Sequence, residues 1–277
     1  MLGLRAMHPS ELKRRLHAGE RVYGTLIVSP SPRWPAQVAR MGLDFVFIDT
    51  EHIALGRHEL SWMCQAYGAL GLPPLVRIPS PDPFQASMAL DGGAAGIIVP
   101  YVETAAQARE LVGAVKFGPL KGQRLSRILE GAEAPEPALA AYLERHNASR
   151  VLVLNIESRP ALDHLDEILA VPGLDAVLIG PHDLSCSLGE PEAYGSEAFE
   201  QAVTTIFAKA RAHGLGAGIH SWMGVEREAA WARAGANLLI HEADLLTFAR
   251  VVRDDLAGLR AALGDSPGGG SGGGPNI

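Results

Sequence analysis

Two apolar runs of this chain, VLVLNIE and DAVLIGPHD, each finish in a carboxylate just past the last apolar residues, Glu157 and Asp183. Carboxylates brought close together repel and raise each other's pKa. A divalent cation between them removes that conflict, and ligation by oxygen alone favours hard ions such as Mg2+ or Mn2+, with water completing an octahedron. The competing account makes each acid a solvent-facing helix N-cap. The stretch DTEH places Asp49 and Glu51 beside His52. A histidine titrates near neutrality and can act as general base, with a neighbouring carboxylate to hold its tautomer. Arg77 interrupts the apolar run PPLVRIP. A buried guanidinium needs an anion, either a substrate oxygen or a carboxylate such as Asp49, and its five donors allow both. GPHDLS, with Pro181, His182 and Asp183, sets a Gly-Pro turn before a short helix whose free amides suit an anion. A 2-oxo acid fits there. His220 and His241 also end apolar runs, but no HxH pair supports a zinc hydrolase site. Lys116 and Lys121 fall in a helix end and a loop, which argues against a Schiff base.

Positioning these groups falls to eight apolar runs: 22–29, 44–50, 73–79, 96–102, 151–157, 175–181, 216–221 and 237–243. They are continuous rather than alternating, as strands covered on both faces are. Helical patterns follow them, at 31–42, 81–93, 104–116, 157–171 and 224–235 among others, and one precedes them at 8–19. Several open on Ser, Thr or Asp with an early Pro and close on Gly. Eight strand–helix units predict a closed (β/α)8 TIM barrel with an N-terminal helix, and the chemistry-bearing residues then stand at its C-terminal mouth. No GxGxxG follows the first strand, which disfavours a dinucleotide-binding open sheet. Two connections break the rhythm: KGQRLSRILEG with an extra helix at 136–147, and SCSLGEPEAYGS at 185–196.

Residues 1–264 therefore read as one barrel domain and 265–277 as a flexible Gly/Ser-rich tail. The chain of 277 residues is 47% hydrophobic, enough for a sizeable core. Its net charge of -7 gives no reason to expect nucleic acid or an anionic membrane as partner. Cys64 and Cys186 have neither metal-ligand spacing nor a disulfide pattern. With no apolar stretch of signal-peptide or membrane-span type, a cytoplasmic location is expected.

DFVFIDTEH, LVRIPSPDP, LDGGAAGIIVPYVETAAQAREL and NIESRPALDHLDEILAVPGLDAVLIGPHDLSCSLG, in collinear order over most of residues 20–260, resemble the HpcH/HpaI-type class II pyruvate aldolases of the aldolase/citrate lyase family. The resemblance implies a (β/α)8 barrel assembled as a homohexamer from dimers that exchange their last helix. It implies Glu157 and Asp183 as ligands of a divalent metal ion, Mg2+, Mn2+ or Co2+. Arg77 matches the arginine that contacts the keto oxygen, His52 with Asp49 the acid–base pair, and Asp91 an aspartate that supports the site from a neighbouring subunit. The backbone around Pro181–Asp183 matches the carboxylate-binding turn. Three positions depart from the family pattern: Asn155 stands where a glutamine is usual, His182 where an alanine is, and GQRLS keeps Arg124 but loses glycines.

The expected activity is a metal-dependent carbon–carbon lyase that adds the enolate of pyruvate, or a similar 2-oxo acid, reversibly to an aldehyde. A citrate synthase-like or acyl-CoA lyase-like condensation on the same barrel is the alternative, with the mildly basic KGQRLSR (121–127) as its phosphate contact. A non-catalytic binding barrel is the third.

Overall fold

The computed structural model describes residues 6–266. Eight parallel strands close into a barrel in sequence order: β1 (Val22–Ile27), β2 (Val46–Asp49), β3 (Pro74–Arg77), β4 (Gly96–Val99), β5 (Val151–Asn155), β6 (Ala176–Ile179), β7 (Gly216–Ser221) and β8 (Leu238–Ala243). The expected (β/α)8 barrel is the fold found. The tail from 267 onward lies outside the described residues.

Strand period decides which side chains enter the barrel. Phe47, Leu75, Ile98, Val153, Leu178 and Ile240 share one buried cluster inside it, while Ile48, Val76, Ile97, Leu154, Val177 and Leu239 belong to the layer between strands and helices. Counting two residues on from the inner set reaches Asp49, Arg77 and Asn155. The polar residues at the strand ends are thus the top layer of the barrel interior. The floor is closed by α1 (Pro9–Ala18), which buries Leu12 and Leu16 among the inner side chains. Each such burial contributes about 2 kcal/mol.

Helix starts follow their caps. Asp82 accepts from Phe84 N–H to open α4 (Pro83–Asp91), and Thr104 and Gln107 form a capping box for α5 (Ala105–Lys116). Two elements differ from the expected pattern. The continuous helix expected over 157–171 is broken at His164 into α8 (Arg159–Asp163) and α9 (Leu165–Leu169), because His164 leaves helical geometry at φ -102, ψ 14 and turns its ring onto Pro160 O. The long connection after α5 carries α6 (Gly122–Leu129), where a loop was expected, before the anticipated α7 (Pro137–Asn147). The remaining helices are α2 (Trp34–Val38) after β1, α3 (Arg57–Ala69) after β2, α10 (Pro181–Ser187) and α11 (Glu197–Ala212) after β6, and α12 (Val225–Arg233) after β7. The chain ends in α13 (Asp244–Leu263), which buries no residue and leaves Leu245, Phe248, Val252, Leu256, Leu259 and Leu263 exposed on it.

Candidate active site

The mouth is a small open pocket lined by His52, Arg77, Asn155, Gly180 to Asp183, His220 and Trp222, over a base of Leu26, Phe47, Leu178 and Ile179. Asp49 and Arg77 face each other in register across β2 and β3. Arg77 Nε donates to Asp49 Oδ1 at 2.8 Å and Nη2 to Oδ2 at 2.7 Å, a two-pronged pair with Asp49 fully buried. The same carboxylate accepts from the backbone N–H of Glu51 and of His52, so the DTEH turn is wound around it. Burial alone would raise the Asp49 carboxyl. The Arg77 hydrogen bonds and charge outweigh that and hold it below the usual carboxylate range. Arg77 also lies 3.2 Å from Glu51 Oε2 and stacks over Phe47.

This arrangement revises one expected pairing. Asp49 meets His52 only through the backbone N–H; the carboxylate beside the imidazole is Glu51, with Oε2 3.7 Å from His52 Nε2. Burial raises the Glu51 carboxyl, and the charges of Arg77 and His52 only partly oppose that. His52 itself is half-exposed at the cavity wall.

Glu157 follows β5 and is buried. Its Oε1 accepts from Tyr101 N–H at 2.8 Å and its Oε2 from Asn155 Nδ2 at 2.9 Å. Both donors are neutral. Burial, with the charge of Asp183 adding, pushes its pKa up to about 7. Asp183 stands in the first turn of α10, and its Oδ1 accepts from the Tyr101 hydroxyl at 3.2 Å. Burial, then Asp183, pushes that phenol up to about 12, so it remains a donor.

Gly180 explains how the two acids approach each other. A Cβ built there would stand 2.1 Å from Glu157 Oε2 and 3.5 Å from Asp183 Oδ2. One point close to both oxygens bounds their separation at about 5.6 Å. A side chain at position 180 would collide with Glu157 Oε2, so glycine is what lets the two carboxylates stand this close. Asn155, whose Nδ2 is held on Glu157 Oε2, has its Oδ1 buried without a hydrogen-bond partner in the protein. A cradle that a Cβ would obstruct, two carboxylates and an orphaned amide oxygen form an oxygen-only set that suits a hard divalent ion completed by water and substrate oxygens. Among the described residues no group of three or more His, Cys, Asp or Glu side chains is arranged to hold a metal.

The other predicted residues divide. Pro181 and His182 line the cavity, and His182 Nε2 lies 3.9 Å from Cys186 Sγ. His241 is turned to Glu228 on α12, 2.9 Å away. Asp91 ends α4 at the opposite end of the barrel, near Arg150 at the start of β5, so this chain does not bring it to its own mouth. His220 lines the cavity, as its place at the end of an apolar run led one to expect, whereas Trp222 was not singled out from sequence. His220 is neutral: burial lowers it to about 4, and its Nε2 bonds to Glu242 O. Trp222 packs edge-on against it. Tyr101 was missed as well. Its signal was legible, since it stands near the C-terminal end of the apolar run 96–102, where a polar side chain points at the mouth.

A parallel barrel whose mouth gathers a buried arginine, a histidine and two converging carboxylates defines an enzyme built for a small, oxygen-rich substrate. Residues 24–248 match the family model described as HpcH/HpaI aldolase/citrate lyase. The chain belongs to the HpcH/HpaI aldolase/citrate lyase family, and it is an enzyme of the aldolase type, a carbon–carbon lyase. It is 34% identical over 215 residues to a 2-keto-3-deoxy-L-rhamnonate aldolase of Escherichia coli K12, covering 78% of this chain and 80% of that one. Among solved structures it is similar to the citrate synthase SbnG (TM-score 0.79, 30% identity, 92% of this chain and 99% of that one). It is similar too to an HpcH/HpaI aldolase from Desulfitobacterium hafniense DCB-2 (TM-score 0.78, 27% identity, 90% and 96%). Membership sets aside the non-catalytic barrel.

Proposed function

We propose that the chain cleaves and forms a carbon–carbon bond between pyruvate, or a similar 2-oxo acid, and an aldehyde, with a divalent cation held by Glu157 and Asp183. Enzymes of this family are generally divalent-metal dependent. When bound, the cation supplies Lewis acidity toward the carboxylate and keto oxygens of the 2-oxo acid. Mg2+, Mn2+ and Co2+ all suit the donor set. The observation that carries this reading is the convergence of Glu157 Oε2 and Asp183 Oδ2 on the space left by Gly180.

The chain's own residues divide the remaining work. Arg77, held charged and in one orientation by Asp49, presents its guanidinium to the keto oxygen and shares the negative charge that develops there. His52, with Glu51 beside it, moves the proton on the methyl carbon or the aldehyde oxygen. The turn Gly180–Asp183 receives the substrate carboxylate, and Asn155 and His182 shape the space around it. The exposed apolar residues of α13 support a dimer in which that helix is exchanged, and a hexamer of such dimers would let Asp91 of one subunit support another's mouth. No helix among the described residues is long and apolar enough to cross a membrane, and we place the enzyme in the cytoplasm.

A panel of pyruvate with varied aldehydes, run across the three ions and with EDTA, tests this. Turnover should appear with one of them and vanish with chelator. Full turnover in EDTA would remove the proposal. The likeness to the citrate synthase SbnG favours a second reading, condensation of oxaloacetate with an acyl thioester. Both arginines of the basic segment that could contact coenzyme A are, however, already engaged: Arg124 pairs with Glu133 and Glu136, and Arg127 with Glu133. Free-thiol release from acetyl-CoA with oxaloacetate separates the two, and the aldolase reading expects none.

A further inference from the structure

Tyr101 touches both carboxylates of the proposed cation site, by two different groups. Its backbone N–H holds Glu157 Oε1 at 2.8 Å, and its hydroxyl holds Asp183 Oδ1 at 3.2 Å. The oxygens it leaves alone, Glu157 Oε2 and Asp183 Oδ2, are the pair that flank the Gly180 space. Each acid thus has one oxygen tied back by Tyr101 and one turned to the cradle. The residue makes both contacts from φ +48, a left-handed conformation uncommon for an aromatic residue. Strained backbone of this kind persists where surrounding contacts fix it, and here those contacts are the two acids.

We propose that Tyr101 is a positioning residue that sets the separation and rotation of Glu157 and Asp183, so that a cation meets both already oriented. This rests on the reading of those acids as metal ligands. Outer partners of ligating carboxylates orient them, and their loss typically costs 10–100-fold in metal affinity. The two contacts can be separated by substitution. Tyr101→Phe deletes only the hydroxyl and frees Asp183 Oδ1. Tyr101→Gly keeps the amide on Glu157, accepts the positive φ without strain, and also lacks the hydroxyl.

Binding of Mn2+ alone, followed by the loss of the free-ion EPR signal, reads this out without reference to turnover. Tyr101→Phe should bind Mn2+ about tenfold more weakly than the wild type with an unchanged Tm, and Tyr101→Gly should weaken it by a similar factor. Addition of Mn2+ should perturb a tyrosine band in the near-ultraviolet difference spectrum of the wild type, and that band should be missing in Tyr101→Phe. Glu157→Gln is the control for the underlying reading and should lose the ion. Mn2+ affinity within about twofold of wild type in both Tyr101 variants, with Glu157→Gln devoid of ion, overturns the role of Tyr101 alone. Wild-type affinity in Glu157→Gln overturns the two-carboxylate site itself, and Tyr101 with it.

Discussion

Two buried acids stand at opposite ends of neighbouring strands, and their surroundings are opposite too. Glu157 follows β5 at the mouth; Asp175 precedes β6 at the floor, and each is about 1% exposed. Asp175 is surrounded by cations: Lys116 Nζ at 2.5 Å, His17 Nε2 at 2.9 Å and Lys13 Nζ at 3.7 Å. It also accepts from Leu152 N–H at 2.8 Å. Burial would raise its pKa, but His17, Lys116 and Lys13 outweigh that and hold it low. Glu157 has two neutral donors and an acid for a neighbour, and burial prevails. The floor spends its charge on holding α1, α5, β5 and β6 together. The mouth leaves Glu157 without a cation in contact, a cost to the free protein that a bound cation would relieve.

Breaking the floor should have the largest effect. Asp175→Asn leaves Lys116 buried without its anion. Burial already pulls that lysine down to about 8 despite Asp175. Removing one partner of a buried pair typically costs about 3–5 kcal/mol. At roughly 2–4 °C per kcal/mol for a chain near this size, Tm should fall by about 10 °C. Activity per folded molecule should be preserved, because the floor is remote from the cavity. A Tm within about 2 °C of wild type would show that the cations do not depend on Asp175 as described.

At the mouth the same kind of substitution should act in reverse. The folded pKa of Glu157, about 7, lies above its ordinary 4.5, so its charge destabilises the native state. Stability attributable to this group falls as pH rises from 4.5 through 7, and above 7 the whole penalty is present. The shift corresponds to at most about 3 kcal/mol. Glu157→Gln removes it, and Asn155 can turn its partnerless Oδ1 to accept from the new amide. With chelator present throughout, Tm should rise by about 5 °C at pH 8 and hardly at all at pH 5. The substitution should also abolish turnover. A lower Tm at pH 8 would mean that the mouth is held together by Glu157 rather than strained by it.

The contrast explains what could be read from the chain. Strand number and order followed from eight apolar runs, and the mouth residues followed from the rule that polar side chains at strand ends face it. Glu157, Asp183, Arg77 and Asn155 needed only their place in a run. What escaped depended on partners distant in sequence or on backbone geometry. Asp49 and Arg77 were legible as a possible pair because both end strands, yet the loss of Asp49 to His52 follows from its complete engagement by Arg77 and the DTEH amides. Tyr101 reaches acids 56 and 82 residues away, one through a left-handed turn that no side-chain pattern encodes. Asp175 was visible only as a strand start. Its three cations come from α1 and α5, and no spacing announces that they converge.

The smallest test asks how much one exposed member of the floor cluster contributes. His17 lies 2.9 Å from an acceptor at each ring nitrogen: Asp175 Oδ1 at Nε2 and Gly214 O at Nδ1. Both nitrogens can donate only in the imidazolium. The Asp175 hydrogen bond, with that of Gly214 adding and burial opposing, accordingly raises the His17 pKa above its ordinary 6.5. A raised folded pKa stabilises fully below the unfolded value and loses that contribution as pH climbs through the folded one. The ring is more than a third exposed, so screening holds the contribution below about 1 kcal/mol. Because Glu157 titrates in the same interval, His17→Gln is best compared with its parent in the Glu157→Gln background. The Tm deficit should be largest near pH 5.5, at about 2–3 °C, and should shrink toward pH 8. A deficit that stayed flat across this range would make His17 a neutral packing residue and leave Asp175 to its two lysines.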